Sequence, residues 1–226
     1  MTGSVLLCGI SSGDVTIHFA SSILRMQTEL VRTQKVNVNF EFFQTVNDAL
    51  TYFHQKTTCD VCVVIDGQMS VEPGFILQHD MSKPVVVASY PLRMVDWDRV
   101  RAKLVDSDEP PSHVGIRYNY DPAIATPEPG GAYLKLEQNA EVQLKIFKIT
   151  RAALDSIIAR HGNEVQSAEK ELVIYSEGVI DDHKVTADQR FVRLWGEPLY
   201  ADVTHHTKNV GPFDFTGVVG NQKQLR

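Results

Sequence analysis

Three cysteines in 226 residues are too few to staple a fold of this size. Cys8 and Cys62 sit inside apolar runs that read as strands, and Cys59 stands at a strand entrance, so packed thiols are the expectation. Cys59-x-x-Cys62 has the spacing of a redox or zinc half-site, but no second pair and no His-x-x-x-His follows to complete one. Long apolar runs are also missing. The amino-terminal MTGSVLLCGI has an apolar run of about seven residues and no charged leader, too short for a signal peptide or a membrane span, so the expectation is a cytosolic protein. An excess of positive charge is absent too: 22 Lys and Arg against 28 Asp and Glu give a formal net charge of -6 and a pI near 5.7. That balance argues against broad capture of nucleic acid or of an anionic membrane. No internal repeat and no low-complexity segment appears, and 43% hydrophobic content is enough for one substantial core, expected as a single domain over 1–226.

Two common nucleotide-binding signatures are missing as well. The first loop, Gly9-Ile10-Ser11-Ser12-Gly13-Asp14, lacks the Gly-x-Gly-x-x-Gly of a close pyrophosphate turn and the Lys-Ser/Thr of a phosphate-binding P-loop. Neither a dinucleotide oxidoreductase nor a P-loop ATPase is favoured.

What is present is a regular succession of elements. Ser4 to Ile10 reads as a strand closed by Ser11 to Asp14, and Ile17 to Val31 carries Phe19, Ile23, Met26 and Leu30 at helical spacing. Val36, Val38, Phe40 and Phe42 alternate as a second strand, Val46, Leu50 and Phe53 mark a helix, Val61 to Ile65 is a third strand and Pro84 to Ser89 a fourth. This series calls for an α/β fold whose largely parallel sheet is covered by helices. Beyond it, Asp96 to Val105 reads as a short helix, and Asp106 to Gly131, holding five prolines, as a long irregular loop whose expected role is to close over an acceptor or to pack on a partner. Ala132–Leu136 and Val142–Ile149 read as an antiparallel strand pair. Thr150 caps a helix to about Arg160, Thr186 or Asp188 begins another, and Leu199–Val203 is a last strand.

The stretch Cys59–Pro73, CDVCVVIDGQMSVEP, carries the strongest signal, because an acidic residue ending a buried strand is where open α/β sheets place ligand-binding groups. Here Asp66-Gly67-Gln68 stands where nucleotide-sugar transferases usually read Asp-x-Asp. Together with Lys83–Pro91, Asp96–Val100, Phe147–Arg151, Asp188–Phe191 and the tail Val210–Gly217, it resembles the glycosyltransferase A fold. The likeness is to small family 2-like transferases of large DNA viruses, phages and bacteria.

That resemblance implies a mostly parallel central sheet flanked by helices with a small antiparallel portion, divided into a nucleotide-binding half, 1–90, and an acceptor half, 91–226. It implies transfer from a nucleotide-diphosphate sugar to a glycan or protein-linked acceptor, with inversion. Ser11, Ser12, Gly13 and Asp14 would line the nucleotide pocket with Asp66 and Gln68, and Asp48 is a weaker candidate near base or ribose. Asp66 would touch the ribose or a divalent cation, Mn²⁺ or Mg²⁺, with His206 or His205 as a substitute ligand. Gln68 is a neutral, poorer ligand than a second carboxylate, so weakened metal binding is expected. Arg93, Lys208 or Arg190 are basic alternatives for the diphosphate. Asp188 matches the general base; its other reading is a helix cap, as a strand-end turn is for Asp66. Trp97 and Tyr90 would either face a sugar or pack beneath the loop. A glycosyltransferase-like scaffold that has lost metal chemistry is the competing expectation, motivated by Gln68, Ala187 and Asn209.

Overall fold

A run of buried apolar residues without alternation, as in VCVVID, belongs to a strand covered on both faces, and such runs set the centre of the molecule. The computed structural model describes residues 3–11, 13–33, 36–95, 97–103, 116–138, 140–180, 183–205, 207–209 and 215–217. In chain order, β1 (Ser4–Ile10), α1 (Ile17–Thr33), β2 (Asn37–Phe43), α2 (Val46–Lys56) and β3 (Val61–Asp66) come first. Then follow β4 (Met69–Val71), α3 (Pro73–Leu77), β5 (Val85–Ala88), β6 (Pro91–Val95), α4 (Trp97–Lys103), β7 (Ile116–Tyr118), β8 (Thr126–Pro127) and β9 (Tyr133–Leu136). The last are β10 (Ile146–Thr150), α5 (Arg151–His161), β11 (Gly178–Ile180), β12 (His183–Val185), α6 (Ala187–Trp195), β13 (Leu199–Asp202), β14 (Thr207–Asn209) and β15 (Phe215–Gly217).

The main sheet has eight strands in the order β2-β1-β3-β10-β5-β13-β9-β8. β1 pairs in parallel with β2 and β3, and β5 with β13, whereas β10 lies antiparallel between β3 and β5 and β9 antiparallel to β13 and β8. The sheet is therefore mixed, not largely parallel as the first ninety residues suggest. β9 and β10 do not pair with each other: β10 is buried along its whole length and is drawn between two other buried strands.

Alternate side chains of the strands feed two cores. Leu6, Cys8, Cys62, Val64 and Phe147 meet Leu50 and Phe53 of α2, Leu154 of α5 and Phe191 of α6, while Val5, Leu7, Val63 and Ile65 meet Phe19 and Met26 of α1 and Phe75 of α3. All three cysteines are buried free thiols, with Cys8 and Cys62 Sγ atoms 3.6 Å apart. Helix starts follow their capping residues. Thr45 and Asp48 form a capping box on α2, Thr150 Oγ1 accepts from Ala153 N–H at 3.2 Å on α5, and Thr186 and Gln189 form a capping box on α6. No helix among the described residues is long and apolar enough to cross a membrane.

The segment expected to be an irregular loop has its first part outside the described residues, but from residue 116 onward it is built into the fold. β7 pairs with β6 and β8 with β9, and buried Asn119 ties it to the strands. Asn119 accepts from Tyr90 N–H at 3.0 Å and donates to the carbonyls of Ala88 and Gln143 at 3.1 and 3.0 Å.

On the α1 side, buried Lys148 of β10 donates to the carbonyls of Phe75 and Gln78, each at 3.0 Å, and so holds the end of α3. Burial brings its pKa down to about 8, against the opposing pull of Asp202 and Asp80. Nearby, both ring nitrogens of His79 are buried with no partner among the described residues; burial and the Lys148 charge draw its pKa down to about 4 from 6.5. Folded His79 resists a proton that the unfolded chain accepts, so stability is expected to be fully present above pH ~6.5 and to fall by about 3 kcal/mol toward pH 4. Replacing His79 with leucine should flatten that acid slope in urea melts taken at several pH values; an unchanged slope would remove His79 as its source.

Candidate functional site at the carboxyl end of β3

Asp66 is the last residue of β3, and the turn after it is pinned to the first loop. Gly67 N–H donates to Ile10 C=O at 2.8 Å, and Gly67 C=O accepts from Thr16 N–H at 2.9 Å. A Cβ at Gly67 would lie 3.1 Å from Val15 Cγ1 and 3.2 Å from the Ile10 oxygen, so the close approach of two loops leaves little space there for a side chain. Asp66 Oδ1 accepts Gln68 N–H at 2.8 Å, a strand-end turn, while Oδ2 lies 4.0 Å from Lys145 Nζ. Both side chains are about one-third exposed, 34% for Lys145 and 35% for Asp66, so this pair is open to a ligand.

Asp188 reaches the same end of the sheet from α6. It is not the cap, because Thr186 and Gln189 perform that role and leave its carboxylate to turn inward. Oδ1 accepts from Leu144 N–H at 3.1 Å and from the Tyr175 hydroxyl in a short hydrogen bond, and among the described residues Oδ2 receives none. Burial raises the Asp188 pKa above the usual carboxylate value, opposed by those two donors and by the charge of Lys145. Tyr175 is pushed upward by burial and by the Asp188 carboxylate, and Tyr90 by burial and by the charges of Asp188 and Asp66, so both phenols stay protonated. These mutual influences place Asp66, Asp188, Lys145, Tyr90 and Tyr175 in one constellation.

The backbone of that constellation is held from several directions. Tyr90 is fully buried; its hydroxyl donates to Gln143 C=O at 2.8 Å and accepts from Lys145 N–H at 3.1 Å, while Asp66 N–H donates to Lys145 C=O at 2.8 Å. Tyr175 is fixed by Asn47 at the start of α2, whose amide accepts from Tyr175 N–H at 2.8 Å and donates to its C=O at 2.9 Å. Its ring stacks with Phe147 at 6.5 Å. Tyr90 therefore packs, which removes it as an open face for a sugar, whereas Trp97 is 65% exposed.

The other expected residues separate. Ser11 lies beside the Asp66 turn, but its hydroxyl donates to Asp14 C=O at 2.7 Å and accepts from Gly13 N–H at 3.2 Å, closing its own loop. The run Gly9-Ile10-Ser11-Ser12-Gly13 also spells Gly-x-Ser-x-Gly between a strand and a helix. Ser11 lacks the strained backbone of a nucleophile elbow, since Lys170 is the sole described non-glycine residue with positive φ. Ser12 lies outside the described residues, as do His206 and Val210–Asp214 of the tail motif and the side chains of Arg93 and Lys208. Asp48 is committed to the α2 capping box. Arg190 donates to Glu164 C=O at 3.2 Å and lies 3.0 Å from where a Gly178 Cβ would stand, against β11. His205 is held by buried Asp202, Nδ1 to Oδ2 at 2.8 Å, with its Nε2 over Gly74 where a Cβ would be 2.3 Å away. It is a packed pin between β13 and α3. Among the described residues no three His, Cys, Asp or Glu side chains gather as a metal site, and Asp66 Oδ2 already faces an ammonium group. Of the expected metal ligands, His205 is packed and His206 lies outside the described residues. Lys145 lies in the alternating run Val142–Ile149 read as a strand, but nothing there marks it as a partner of Asp66, and Tyr175 comes from a stretch without periodicity or motif.

No known protein family and no curated protein matches the chain. Among solved structures it is similar to A197 from STIV, with a TM-score of 0.46 and 14% identity over 93% of this chain and 86% of that one. It is also similar to HddC from Yersinia pseudotuberculosis, with a TM-score of 0.30 and 8% identity over 69% of this chain and 80% of that one. So loose a likeness carries no chemistry across to this chain.

Proposed function

We propose that the chain is a glycosyltransferase acting on a nucleotide-diphosphate sugar, with a glycan or protein-linked hydroxyl as acceptor. The observation that carries this reading is the pairing, at one end of the sheet, of a half-open Asp66–Lys145 pair with a buried carboxylate of raised proton affinity, Asp188. Asp188 Oδ2 would take the acceptor hydroxyl proton as that oxygen attacks the anomeric carbon and the bond to the diphosphate breaks. Raised basicity suits that task, and Tyr175 and Leu144 hold the carboxylate in orientation. The leaving diphosphate gathers negative charge, which the Lys145 ammonium would offset, while Asp66 would bind ribose hydroxyls through Oδ2.

A second reading, a glycosyltransferase-like scaffold without turnover, is favoured by one detail: Asp66 Oδ1 is engaged by its own turn, which a free donor-binding carboxylate would not need. Calorimetric titration with nucleoside diphosphates and their sugars, each with Mn²⁺ and with EDTA, separates the two. The expected result is binding that persists in EDTA and weakens by about tenfold or more in Lys145→Met, as loss of a charge-assisted contact predicts. Failure of every nucleotide to bind at millimolar concentration would overturn the transferase reading and leave the scaffold.

A further inference from the structure

The two edges of the main sheet are treated differently. β8 at one end is two residues long and finishes in proline, a blunted edge. β2 at the other end is seven residues long, runs in unbroken register with β1, and contains no proline, no lysine and no bulge. Among the described residues β1 is its one ladder partner.

The direction of its backbone groups can be read from its ends. Asn37 N–H donates to Gly3 C=O at 3.4 Å and Phe43 C=O accepts from Ser11 N–H at 3.0 Å, both toward β1. Since a strand alternates, Asn37, Asn39, Glu41 and Phe43 bond inward, and Val38, Phe40 and Phe42 turn their N–H and C=O groups outward. The outer side chains are apolar as well, with Phe42 53% exposed and stacked edge-on against Phe40 at 4.8 Å.

α1 extends this apolar surface. Its Ser22 meets Ser70 on β4, while Phe19 meets Phe40 and Phe42 on β2. At about 100° per residue, the same sense of rotation past Phe19 leads through Ile23 to Gln27, Ala20, Val31 and Leu24. Leu24 and Val31 are 64% and 78% exposed on that flank, above the β2 edge, and Arg25 and Arg32 fall on the opposite flank.

We propose that β2 is the dimerisation edge of this protein, pairing antiparallel with β2 of a second copy about a two-fold axis at Phe40. This register sets Val38 against Phe42 of the partner subunit and Phe40 against the partner's Phe40. All are outward-bonding residues, so about six N–H···O=C bonds close. On the other face it sets Asn39 against the partner's Glu41, an amide against a carboxylate. A register centred one residue later would set Glu41 against the partner's Glu41, a like-charge pair, and one centred a residue earlier would shorten the ladder. The two-fold also brings both α1 helices to the same face, where Ala20, Leu24 and Val31 cover the aromatic row and the arginines stay outside the junction. A second copy is the occupant that this complementarity fits, because the strand's hydrogen-bonding and charge pattern matches its own reverse.

Sedimentation velocity across a concentration series tests the inference. The wild-type chain should be a dimer. Asn39→Glu places like charges opposite each other twice across the two-fold and should weaken the dimer by up to about tenfold, and Asn39→Lys should tighten it by a similar factor. Phe42→Pro removes an outward N–H while sparing the β1 ladder, and should give a monomer with unchanged circular dichroism. A wild-type chain that stays monomeric at about 100 µM, or an oligomer indifferent to both changes at Asn39, would overturn the proposal.

Discussion

Asp188→Asn is expected to lower turnover by about 10³-fold while donor affinity stays within about twofold. The change keeps the shape of the side chain, and its amide oxygen can still accept from Tyr175 and from Leu144 N–H, so the local structure should persist. What it removes is the proton acceptor. Because Asp188 is held above the ordinary carboxylate range by burial, rate should fall as pH drops through its raised pKa, where the base is lost to protonation. Tyr175→Phe deletes a hydrogen bond that favours the ionised form, and should therefore move the acid limb of the pH–rate profile to higher pH with a smaller loss at the plateau. A purely structural Tyr175 would change stability and leave that limb in place. Full activity in Asp188→Asn would remove this residue as the base.

The largest effect on stability is expected at Asn119. Its side chain satisfies three backbone groups, Tyr90 N–H, Ala88 C=O and Gln143 C=O, in a region where Asn119 itself is 3% exposed. Asn119→Ala leaves Tyr90 N–H and Ala88 C=O without that partner, at roughly 1–3 kcal/mol each, while Gln143 C=O keeps the Tyr90 hydroxyl, so a total near ~4 kcal/mol is expected. Denaturant melts should show it as a lower midpoint with little change in slope. A loss under about 1 kcal/mol would mean that these groups find other partners. Since Gln143 C=O also receives the Tyr90 hydroxyl, the surviving protein should bind donor less well, linking a buried amide to the shape of the site.

Much of the framework is legible in residue order alone. The helix read over Ile17 to Val31, which runs on to Thr33, the strand ending at Asp66 and the cap at Thr150 follow from spacing and from local side-chain chemistry, whereas Thr186 and Asp188 stay open as the start of the later helix. Asp66 stands out because an acidic residue at a strand end is a local pattern, whereas Asp188 stands out only through the resemblance to the glycosyltransferase A fold. Their roles are less legible. Asp188 reads equally as a cap until Gln189 is seen to complete the capping box, and the pairing of 132–136 with 142–149 fails although both form extended chain.

What the sequence determines by itself is therefore the longer strands and helices, their apolar faces and the acidic strand end, because periodicity and capping depend on neighbours within a few residues; the two- to five-residue strands β4, β6, β7, β8, β11, β12, β14 and β15 are too short to carry a period. What the tertiary structure decides is which elements meet. β10 enters between β3 and β5, and this insertion carries Leu144 and Lys145 to Asp66 and Asp188. Tyr175 reaches Asp188 because Asn47, 128 residues earlier, grips its backbone. The physical reason is that non-local pairing is selected by burial of whole faces and by satisfaction of backbone groups across the sheet, and neither leaves a period in the chain.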